Sequence, residues 1–160
     1  MGLEIERKYL VKNKNYKKLK IENKNRIEQG YITLDKEKVI RIRIANRAAF
    51  LTIKGLATKI TRHEYEYQIP VKEAREMLDL FCYQPIIKKV RYDIKYQGKV
   101  WEIDEFEGLN RGLRIAEIEL ENEDEKFDKP DFIGQEVTDD PRYYNFNLVK
   151  NPYKEWEASD

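Results

Sequence analysis

The feature that most constrains this chain is a short alternation of charged and apolar residues that recurs along it. In the first copy, Leu3 to Lys8, the residues Glu4, Glu6 and Lys8 would share one face of a β-strand. Six further segments carry a similar polar pair: Arg41 and Arg43, Thr52 and Lys54, Glu64 and Glu66, Lys89 and Arg91, Glu102 and Asp104, and Glu117 and Glu119. The pattern predicts seven strands, each with polar side chains on one face and apolar or aromatic side chains on the other.

Two interpretations of this alternation compete. An antiparallel sheet with one face in water shows the same pattern, but such a face normally mixes both signs of charge. Here the signs are segregated, since two of the pairs are purely basic and three are purely acidic. Like charges that neighbour one another on a face are unfavourable unless something offsets them. The segregation therefore favours a closed barrel that gathers the charges inside, and about eight strands leave room there for one small ligand.

Length and charge balance favour a single domain that is not a general nucleic-acid binder. The chain has 160 residues, enough to bury roughly two-thirds of its unfolded surface. Its 31 Lys and Arg against 30 Asp and Glu leave a formal charge of +1, whereas binding to nucleic acid needs a basic surface. We expect one domain over residues 1–160, with a loose tail from about residue 151.

Rare residue types exclude several classes of site. Cys82 is the only cysteine, which excludes an intrachain disulfide and a cysteine-rich zinc site and fits a cytoplasmic location. His63 is the only histidine and is expected to lie outward in solvent, and Ser159 is the only serine, so no serine triad is expected. No apolar run reaches the roughly 20 residues of a membrane helix, and the start lacks the apolar region of a signal peptide.

The same patterning predicts the order of the elements. Residues 12–26 are rich in lysine and asparagine and are expected to form a solvated loop. After the first strand, strands are expected at residues 27–34, 39–45, 48–55, 61–69, 86–96, 99–106 and 113–121. One amphipathic helix is predicted over residues 72–82. A helical turn is predicted at 130–133, and a short helix from Asp140 and Pro141 to about Val149.

The charged residues form a basic set and an acidic set that together indicate the ligand. The basic set is Lys8, Arg41, Arg43, Lys54, Lys89 and Arg91, and the acidic set is Glu4, Glu6, Glu64, Glu66, Glu102, Asp104, Glu117 and Glu119. Cations around one cavity repel one another without an anion, and the arginine fork matches phosphate oxygens. Clustered carboxylates need protons or hard cations such as Mg²⁺ or Mn²⁺. Both sets together predict a site for a metal-bound polyphosphate. Hydrolysis there would use cations that hold the phosphoryl oxygens and a water activated by metal or carboxylate.

These residues resemble the CYTH superfamily, the triphosphate tunnel metalloenzymes. Residues Glu4 to Lys8 match its E-x-E-x-K signature. The likeness continues in order through Gln29-Gly30-Tyr31, Arg41-Ile42-Arg43, Thr52-Ile53-Lys54, Glu64-Tyr65-Glu66, Lys89-Val90-Arg91, Glu102-Ile103-Asp104, Ala116-Glu117-Ile118-Glu119, Glu136-Val137-Thr138 and Arg142-Tyr143. It covers nearly the whole chain and is greatest to short bacterial inorganic triphosphatases. The resemblance implies an α+β fold that is mainly antiparallel β, an eight-stranded closed barrel forming a tunnel, with a few flanking helices.

The resemblance also implies a role for each site residue. The residues that would hold phosphates are Lys8, Arg41, Arg43, Lys54, Lys89 and Arg91. The residues that would coordinate metal are Glu4, Glu6, Glu117 and Glu119, and those that would support metal or orient the water are Asp104, Glu64 and Glu66. A catalytic Tyr/Lys pair of related short members corresponds to Tyr31 and Lys54, although the residues alone favour Tyr31 as a core aromatic. Whether Lys88 or Lys89 faces the tunnel depends on strand register.

The expected function is metal-dependent hydrolysis of a triphosphate, chiefly inorganic tripolyphosphate. The alternatives are an adenylyl cyclase that makes cyclic AMP and pyrophosphate, a thiamine triphosphatase, a non-catalytic binder of polyphosphate or nucleotides, and an ordinary barrel with a solvated charged exterior. The expected partner is a small-molecule triphosphate, without nucleic acid or membrane, and the oligomeric state is open, a homodimer included. Clustered carboxylates hold protons more tightly without metal, so metal binding should release protons and favour activity at alkaline pH.

Overall fold

Nine β-strands carry the architecture of the computed structural model, which describes residues 2–58 and 60–156. The strands are Gly2–Val11 (β1), Ile21–Tyr31 (β2), Val39–Ala45 (β3), Ala48–Leu56 (β4), Thr61–Ile69 (β5), Ile87–Tyr96 (β6), Lys99–Phe106 (β7), Arg114–Glu119 (β8) and Ile133–Glu136 (β9). The α-helices are Val71–Leu80 (α1), Asn145–Lys150 (α2) and Tyr153–Trp156 (α3). Short 3-10 turns lie at Asn15–Lys18, Gly108–Asn110 and Pro141–Tyr143. Ser159 and the end of the predicted tail lie outside the described residues.

Eight of these strands close into an antiparallel barrel. Their order is β5-β4-β3-β2-β6-β7-β8-β1, and β1 completes the circle by pairing with β5. One edge of β1 is divided between two partners, because Gly2 to Ile5 pair with β5 whereas Tyr9 and Val11 pair with β9. The other edge pairs with β8. The predicted eight-stranded barrel is confirmed, and β9 is an additional strand beside it.

Much of the barrel wall is apolar on the outside. In β8, Ala116 and Ile118 lie in an apolar cluster with Tyr9 of β1 and Trp101 of β7, whereas Glu117 between them lines the interior. Tyr16 and Phe132, from the first 3-10 turn and from the segment before β9, complete this cluster. Burying each large apolar side chain stabilises the fold by about 1.5–3 kcal/mol. Since this burial takes place outside the barrel, the interior is free to hold charges.

Helix α1 covers another part of the outer wall. Its buried residues Ala74 and Leu78 pack in one cluster with Ile42, Ile44 and Ala49 of β3 and β4. The helix was predicted over residues 72–82 and is found at Val71–Leu80, so the amphipathic pattern located it correctly. Cys82 packs in the same cluster, and burial raises the pKa of its thiol to about 11.

An apolar plug closes one end of the barrel interior. Tyr31, Ile87, Phe106 and Ile115 from four strands pack there with α2, which contributes Phe146 and Leu148. These strand residues share the inward phase of the charged residues, since Ile115 precedes Glu117 by two positions and Ile87 precedes Lys89 by two. The interior is therefore apolar at the α2 end and charged beyond it.

Most strand predictions are confirmed. Residues 61–69 and 99–106 coincide with β5 and β7, and the predicted hairpin about Asn46 and Arg47 joins β3 to β4. Asn46 adopts the left-handed conformation that this two-residue turn requires, with φ of 54°. His63 is exposed on β5, as predicted.

Two local predictions are wrong, and a third is confirmed as a turn. The loop predicted over residues 12–26 contains a 3-10 turn and the start of β2, because the backbone of this polar stretch pairs with β6 from Ile21 onward. The turn predicted at 130–133 is present, since the Ile133 N–H donates to the Pro130 carbonyl at 3.1 Å, and it leads directly into β9. The helix predicted from Asp140 is divided into a 3-10 turn and α2, although Asp140 does accept the capping hydrogen bond from the Arg142 backbone N–H.

The tail from residue 151 is ordered as far as it is described. It forms α3, and the Trp156 ring lies 5.1 Å from the Tyr143 ring and 5.2 Å from the Tyr153 ring. Among the helices of residues 2–58 and 60–156, none has the length and apolar character needed to cross a membrane.

Gly30 sets how closely α1 approaches the barrel. A Cβ atom at this position would lie 2.8 Å from the Cys82 Cβ and 2.9 Å from the Leu78 Cδ2. We expect Gly30→Ala to lower the free energy of unfolding by about 1–3 kcal/mol, because the helix must shift to make room. Urea denaturation followed by circular dichroism measures the change. Glu22→Ala, at an exposed position of the same strand, should change it by less than about 0.5 kcal/mol, and equal losses in both variants would contradict the close packing.

Candidate active site

The charged part of the barrel interior is a cavity of about 220 Å³. The basic residues that line it are Lys8, Arg41, Arg43, Lys54, Arg62, Lys89 and Arg91. The acidic residues that line it are Glu4, Glu6, Glu64, Glu66, Glu102, Glu117 and Glu119. Tyr31 also lines the cavity. The structure thus brings together every predicted site residue except Asp104, which is fully buried beneath Lys89 and Arg91 and does not line the cavity.

The two signs of charge occupy opposite halves of the barrel because of the strand order. The neighbouring strands β4, β3, β2 and β6 carry most of the cations: Lys54, Arg41, Arg43, Lys89 and Arg91. The next four strands, β7, β8, β1 and β5, carry all the carboxylates that line the cavity, together with Lys8 and Arg62. A positive wall therefore faces a negative wall across the space.

Asp104 holds two cations of the positive wall in place. Its Oδ1 accepts a hydrogen bond from Arg91 Nε at 2.7 Å, and its Oδ2 accepts from Lys89 Nζ at 2.8 Å and from Arg91 Nη2 at 2.9 Å. Burial alone would raise the pKa of Asp104, but Arg91 and Lys89 outweigh burial and lower it. Lys89 faces inward and is 1% exposed, whereas Lys88 is exposed, so the register of β6 is settled. Both Asp104 oxygens are engaged, which leaves it poorly placed as a metal ligand.

Lys54 and Tyr31 both carry their protons near neutral pH. Lys54 Nζ lies 2.9 Å from Glu4 Oε2 and 4.0 Å from Glu64 Oε1. Burial opposes its charge, but Glu6 and Glu4 outweigh burial and raise its pKa. Burial also raises the pKa of Tyr31. The Tyr31 ring packs on Phe146 at 6.2 Å between centroids, so this residue belongs to the core plug and lines the cavity at the same time.

The remaining two residues with predicted catalytic roles, Glu64 and Glu66, lie on β5, which pairs with β4. Glu66 Oε2 accepts a hydrogen bond from Thr52 Oγ1 at 3.1 Å and lies 3.6 Å from Arg41 Nη2. Glu66 has a side chain 41% exposed and Glu64 one 25% exposed. Both carboxylates are therefore within reach of water as well as of the positive wall.

The acidic wall suits a hard divalent cation by its chemistry. Its donors are carboxylate oxygens alone, which Mg²⁺ prefers. Burial raises the pKa of Glu119, and Glu4 and Glu6 raise it further, so these carboxylates are close enough to repel one another. Over residues 2–58 and 60–156, no three acidic, histidine or cysteine side chains converge tightly enough to hold an ion by themselves. A cation would therefore need further oxygens, such as those of a bound phosphate or water.

Six further residues line the cavity without having been assigned a role from the sequence: Gln29, Val39, Arg62, Tyr144, Asn145 and Phe146. Arg62 could have been found, because it shares the strand phase of Glu64 and Glu66. Tyr144 and Asn145 give no sequence signal, since they reach the cavity only through the docking of α2. The Tyr144 ring lies under Lys8 Nζ at 5.5 Å and under the Arg62 guanidinium at 5.4 Å.

Comparison with known proteins gives consistent matches over nearly the whole chain. The family model described as CYTH domain matches residues 2–145. An inorganic triphosphatase from Acetivibrio thermocellus is 54% identical over 157 residues, which cover 98% of this chain and 99% of that protein. An inorganic triphosphatase from Nitrosomonas europaea is 35% identical over 150 residues, covering 91% of this chain and 96% of that protein. The crystal structure of the inorganic triphosphatase NE1496 matches with a TM-score of 0.64 at 34% identity, covering 91% of this chain and 93% of that chain.

The pairing of Asp104 predicts a large loss of stability on its removal. Asp104→Asn removes the carboxylate that pairs with both buried cations, Lys89 and Arg91, and among the described residues leaves Arg91 only its contacts with Glu102 and Glu117. We therefore expect the free energy of unfolding at about pH 7 to fall by about 3–5 kcal/mol. Urea denaturation measures it. Asp79→Asn, at an exposed position of α1, serves as the control and should change stability by less than about 0.5 kcal/mol.

The same variant should show a defined pH dependence. Because the pKa of Asp104 is lowered in the folded chain, its charge stabilises the fold above the ordinary value of about 3.9. That contribution is lost as pH falls through the lower folded value. The difference in the free energy of unfolding between wild type and Asp104→Asn should therefore be smaller at about pH 3 than at about pH 7. A difference that widens in acid would contradict the assignment.

Proposed function

This chain belongs to the CYTH-domain family, and we propose that it is a divalent-metal-dependent triphosphatase that hydrolyses inorganic tripolyphosphate. The observation that carries the proposal is the cavity in which a wall of cations faces a wall of carboxylates. The inorganic triphosphatases that match nearly the whole chain support the same activity. We also propose that residues 1–160 form one CYTH-like domain.

The balance of charge in the cavity supports a metal requirement. Seven cationic and seven acidic side chains line it, so its formal charge is close to zero. A triphosphate brings several negative charges, and entering alone it would leave the cavity strongly negative. Divalent cations held by the carboxylates of the acidic wall would restore the balance. We therefore expect the substrate to bind as a complex with Mg²⁺ or Mn²⁺.

The phosphate oxygens are assigned to the basic residues: Lys8, Arg41, Arg43, Lys54, Lys89 and Arg91. Burial and the charges of Arg41 and Arg91 together lower the pKa of Arg43 to about 9. This crowding of cations is unfavourable by itself, so an anion among them relieves repulsion and binds with added strength. Asp104, which the sequence analysis placed near metal, acts in this proposal as the positioning residue for Lys89 and Arg91.

The metal is assigned to four residues of the acidic wall: Glu4, Glu6, Glu117 and Glu119. A bound divalent cation would neutralise charge on the phosphoryl oxygens and lower the pKa of a bound water. Glu117 already lies near one cation from each half of the barrel, since its Oε1 is 3.9 Å from Lys8 Nζ and 4.0 Å from Arg91 Nη2. It is therefore suited to the place where substrate and metal meet.

In the proposed reaction a water oxygen attacks the terminal phosphorus and the bridging phosphorus–oxygen bond breaks. Glu64 and Glu66 accept the proton of the water, which their access to solvent allows. The bond's electron pair leaves with the diphosphate oxygen, and the cations stabilise the charge that develops there. Lys54 and Tyr31, both protonated, donate hydrogen bonds on this side rather than act as bases. The products are orthophosphate and diphosphate.

The first test is product release from three substrates. With Mg²⁺ or Mn²⁺ the purified protein should release orthophosphate chiefly from tripolyphosphate, less from ATP and thiamine triphosphate, and a chelator should abolish the release. Release of pyrophosphate from ATP would indicate a cyclase instead, and binding without turnover would indicate a binding protein.

Lys54→Met should lower kcat by about 100-fold or more, because a cation is lost where charge develops. Lys72→Met, at an exposed position of α1, is the matched control and should leave kcat unchanged.

A second test concerns the pH dependence of metal affinity. Burial, together with the neighbouring Glu117 and Asp104, outweighs the effect of Arg91 and raises the pKa of Glu102 to about 7. A proton held on this wall competes with a cation, so affinity for Mg²⁺ should increase as pH rises through that value. The Mg²⁺ concentration that gives half-maximal phosphate release, measured from about pH 6 to about pH 8, reports it.

Glu102→Gln should flatten this pH dependence, because the proton that competes with the cation is gone. Glu107→Gln, outside the cavity lining, should keep the wild-type dependence. If wild type and both variants show the same dependence of Mg²⁺ affinity on pH, Glu102 does not control metal binding.

The cytoplasmic location and a homodimer stay predictions from the sequence.

A further inference from the structure

Gln29 lies at the centre of a hydrogen-bond chain in the cavity wall. Its side chain is 1% exposed. Gln29 Oε1 accepts a hydrogen bond from Arg43 Nε at 2.9 Å, and Gln29 Nε2 donates to Tyr31 Oη at 2.7 Å and to Asn145 Oδ1 at 3.1 Å. The amide thus joins β2, β3 and α2 within one network.

The chemistry of the partners determines the direction of each bond. A guanidinium can only donate, so the oxygen of Gln29 must face Arg43 and its NH₂ group must face Tyr31 and Asn145. The Tyr31 oxygen is therefore an acceptor in this bond, and its own hydrogen points away from Gln29. The orientation of the Gln29 amide therefore follows from the donor and acceptor chemistry of its partners.

Asn145 is oriented by the same reasoning. Lys89 Nζ donates to Asp104 Oδ2 at 2.8 Å and to Asn145 Oδ1 at 2.9 Å. The Asn145 oxygen therefore accepts from both Lys89 and Gln29. Its NH₂ group is turned away from both of them.

The hydrogens of Tyr31 and Asn145 are available to a ligand. Both residues line the cavity, and within the described part of the chain no side chain or carbonyl accepts a hydrogen bond from the Tyr31 hydroxyl or the Asn145 amide. The charged groups that act on Tyr31 are the cations Arg41, Arg43 and Lys54, and none of these can accept. These hydrogens therefore point among cations, where an anion would bind.

We propose that Gln29 is a positioning residue that sets the direction of hydrogen bonds in the cavity, so that Tyr31 and Asn145 both donate to non-bridging oxygens of the bound triphosphate. The identity of the ligand rests on the function proposed above. With the neighbouring cations, these two groups make a wall of donors only. Such a wall selects a ligand whose facing atoms are all acceptors, as the oxygens of a deprotonated triphosphate are.

The part of Asn145 is tested by Asn145→Asp. The carboxylate keeps an acceptor for Lys89 and Gln29 but replaces the NH₂ donor by an oxygen that faces the ligand. The probe is a tripolyphosphate with methylene groups in place of the bridging oxygens, titrated with Mg²⁺ in a calorimeter, so that no turnover occurs. We expect the Kd to rise by about tenfold or more, since a charge-assisted hydrogen bond is lost.

The matched control is Asn147→Asp, which puts the same charge on the same helix. Asn147 donates to the Pro141 carbonyl and does not line the cavity. Its Kd for the analogue should change by less than about twofold, which corresponds to less than the net energy of one hydrogen bond. Equal effects at positions 145 and 147 would overturn the role of Asn145.

The part of Gln29 is tested by a double-mutant cycle with Tyr31. In Gln29→Glu the carboxylate still accepts from Arg43 but also accepts the Tyr31 hydrogen, which is then lost to the ligand. We expect the Kd to rise by about tenfold in the wild-type background. The rise should be at least about threefold smaller in the Tyr31→Phe background, because no hydrogen is left to redirect.

The cycle removes the effect of the added charge, which is the same in both backgrounds. Equal factors in the two backgrounds would overturn the inference. Gln29→Met, neutral and of similar size, is the second variant if Gln29→Glu does not fold. It removes the donor that orients the Tyr31 hydroxyl, so its rise in Kd should also be smaller in the Tyr31→Phe background.

The two proposals fail in different ways. A wild-type protein that binds the analogue but releases no phosphate from tripolyphosphate overturns the triphosphatase function, while the binding cycle still decides the role of Gln29. A wild-type protein that does not bind the analogue with Mg²⁺ overturns the inference itself.

Discussion

Charged side chains inside a barrel are costly unless charges of opposite sign lie near them, and this constraint organises the whole structure. Asp104 meets it most completely, since it bonds Lys89 and Arg91 with both oxygens and is itself fully buried. On a larger scale, the carboxylates of the negative wall offset the charge of the cations in the positive wall. A ligand that brings its own cations can replace the ion pairs between the two walls.

The charged interior depends on apolar burial elsewhere. The outer wall carries the clusters around Trp101 and under α1, and only the plug with α2 is apolar inside. Helix α2 therefore has two functions that are physically linked. Its Phe146 and Leu148 close the interior, and its first residue, Asn145, joins Lys89 to Gln29 in the cavity wall. Stability of the plug and geometry of the site cannot vary independently.

The strands and both walls could be predicted from the sequence because a strand alternates its side chains with a period of two, so a charged pair identifies both strand and face. The polar start of β2 could not, since Lys24 and Asn23 are held by backbone pairing to β6, which no side-chain pattern reveals. Asn145 and the pairing of Asp104 were hidden for a related reason. Asn145 reaches the cavity only because α2 docks there. Asp104 and Glu102 occupy equivalent positions in the strand pattern, and only the structure shows that Asp104 is fully buried whereas Glu102 lines the cavity.

The divided edge of β1 makes the barrel closure uneven. Among the described residues the seam between β1 and β5 pairs four residues of β1, Gly2 to Ile5, and one further backbone bond joins the Glu6 N–H to the Ile60 carbonyl. The other strand pairs round the barrel each have at least five paired residues. Breathing of the native protein should start at this seam, because free energies of local opening follow the number of bonds to be broken. Glu4 lies on one side of it and Glu64 on the other. The closing seam of the barrel is thus also an entry line for solvent into the acidic wall, and it ties the exchange of backbone amide hydrogens there to the access of ions.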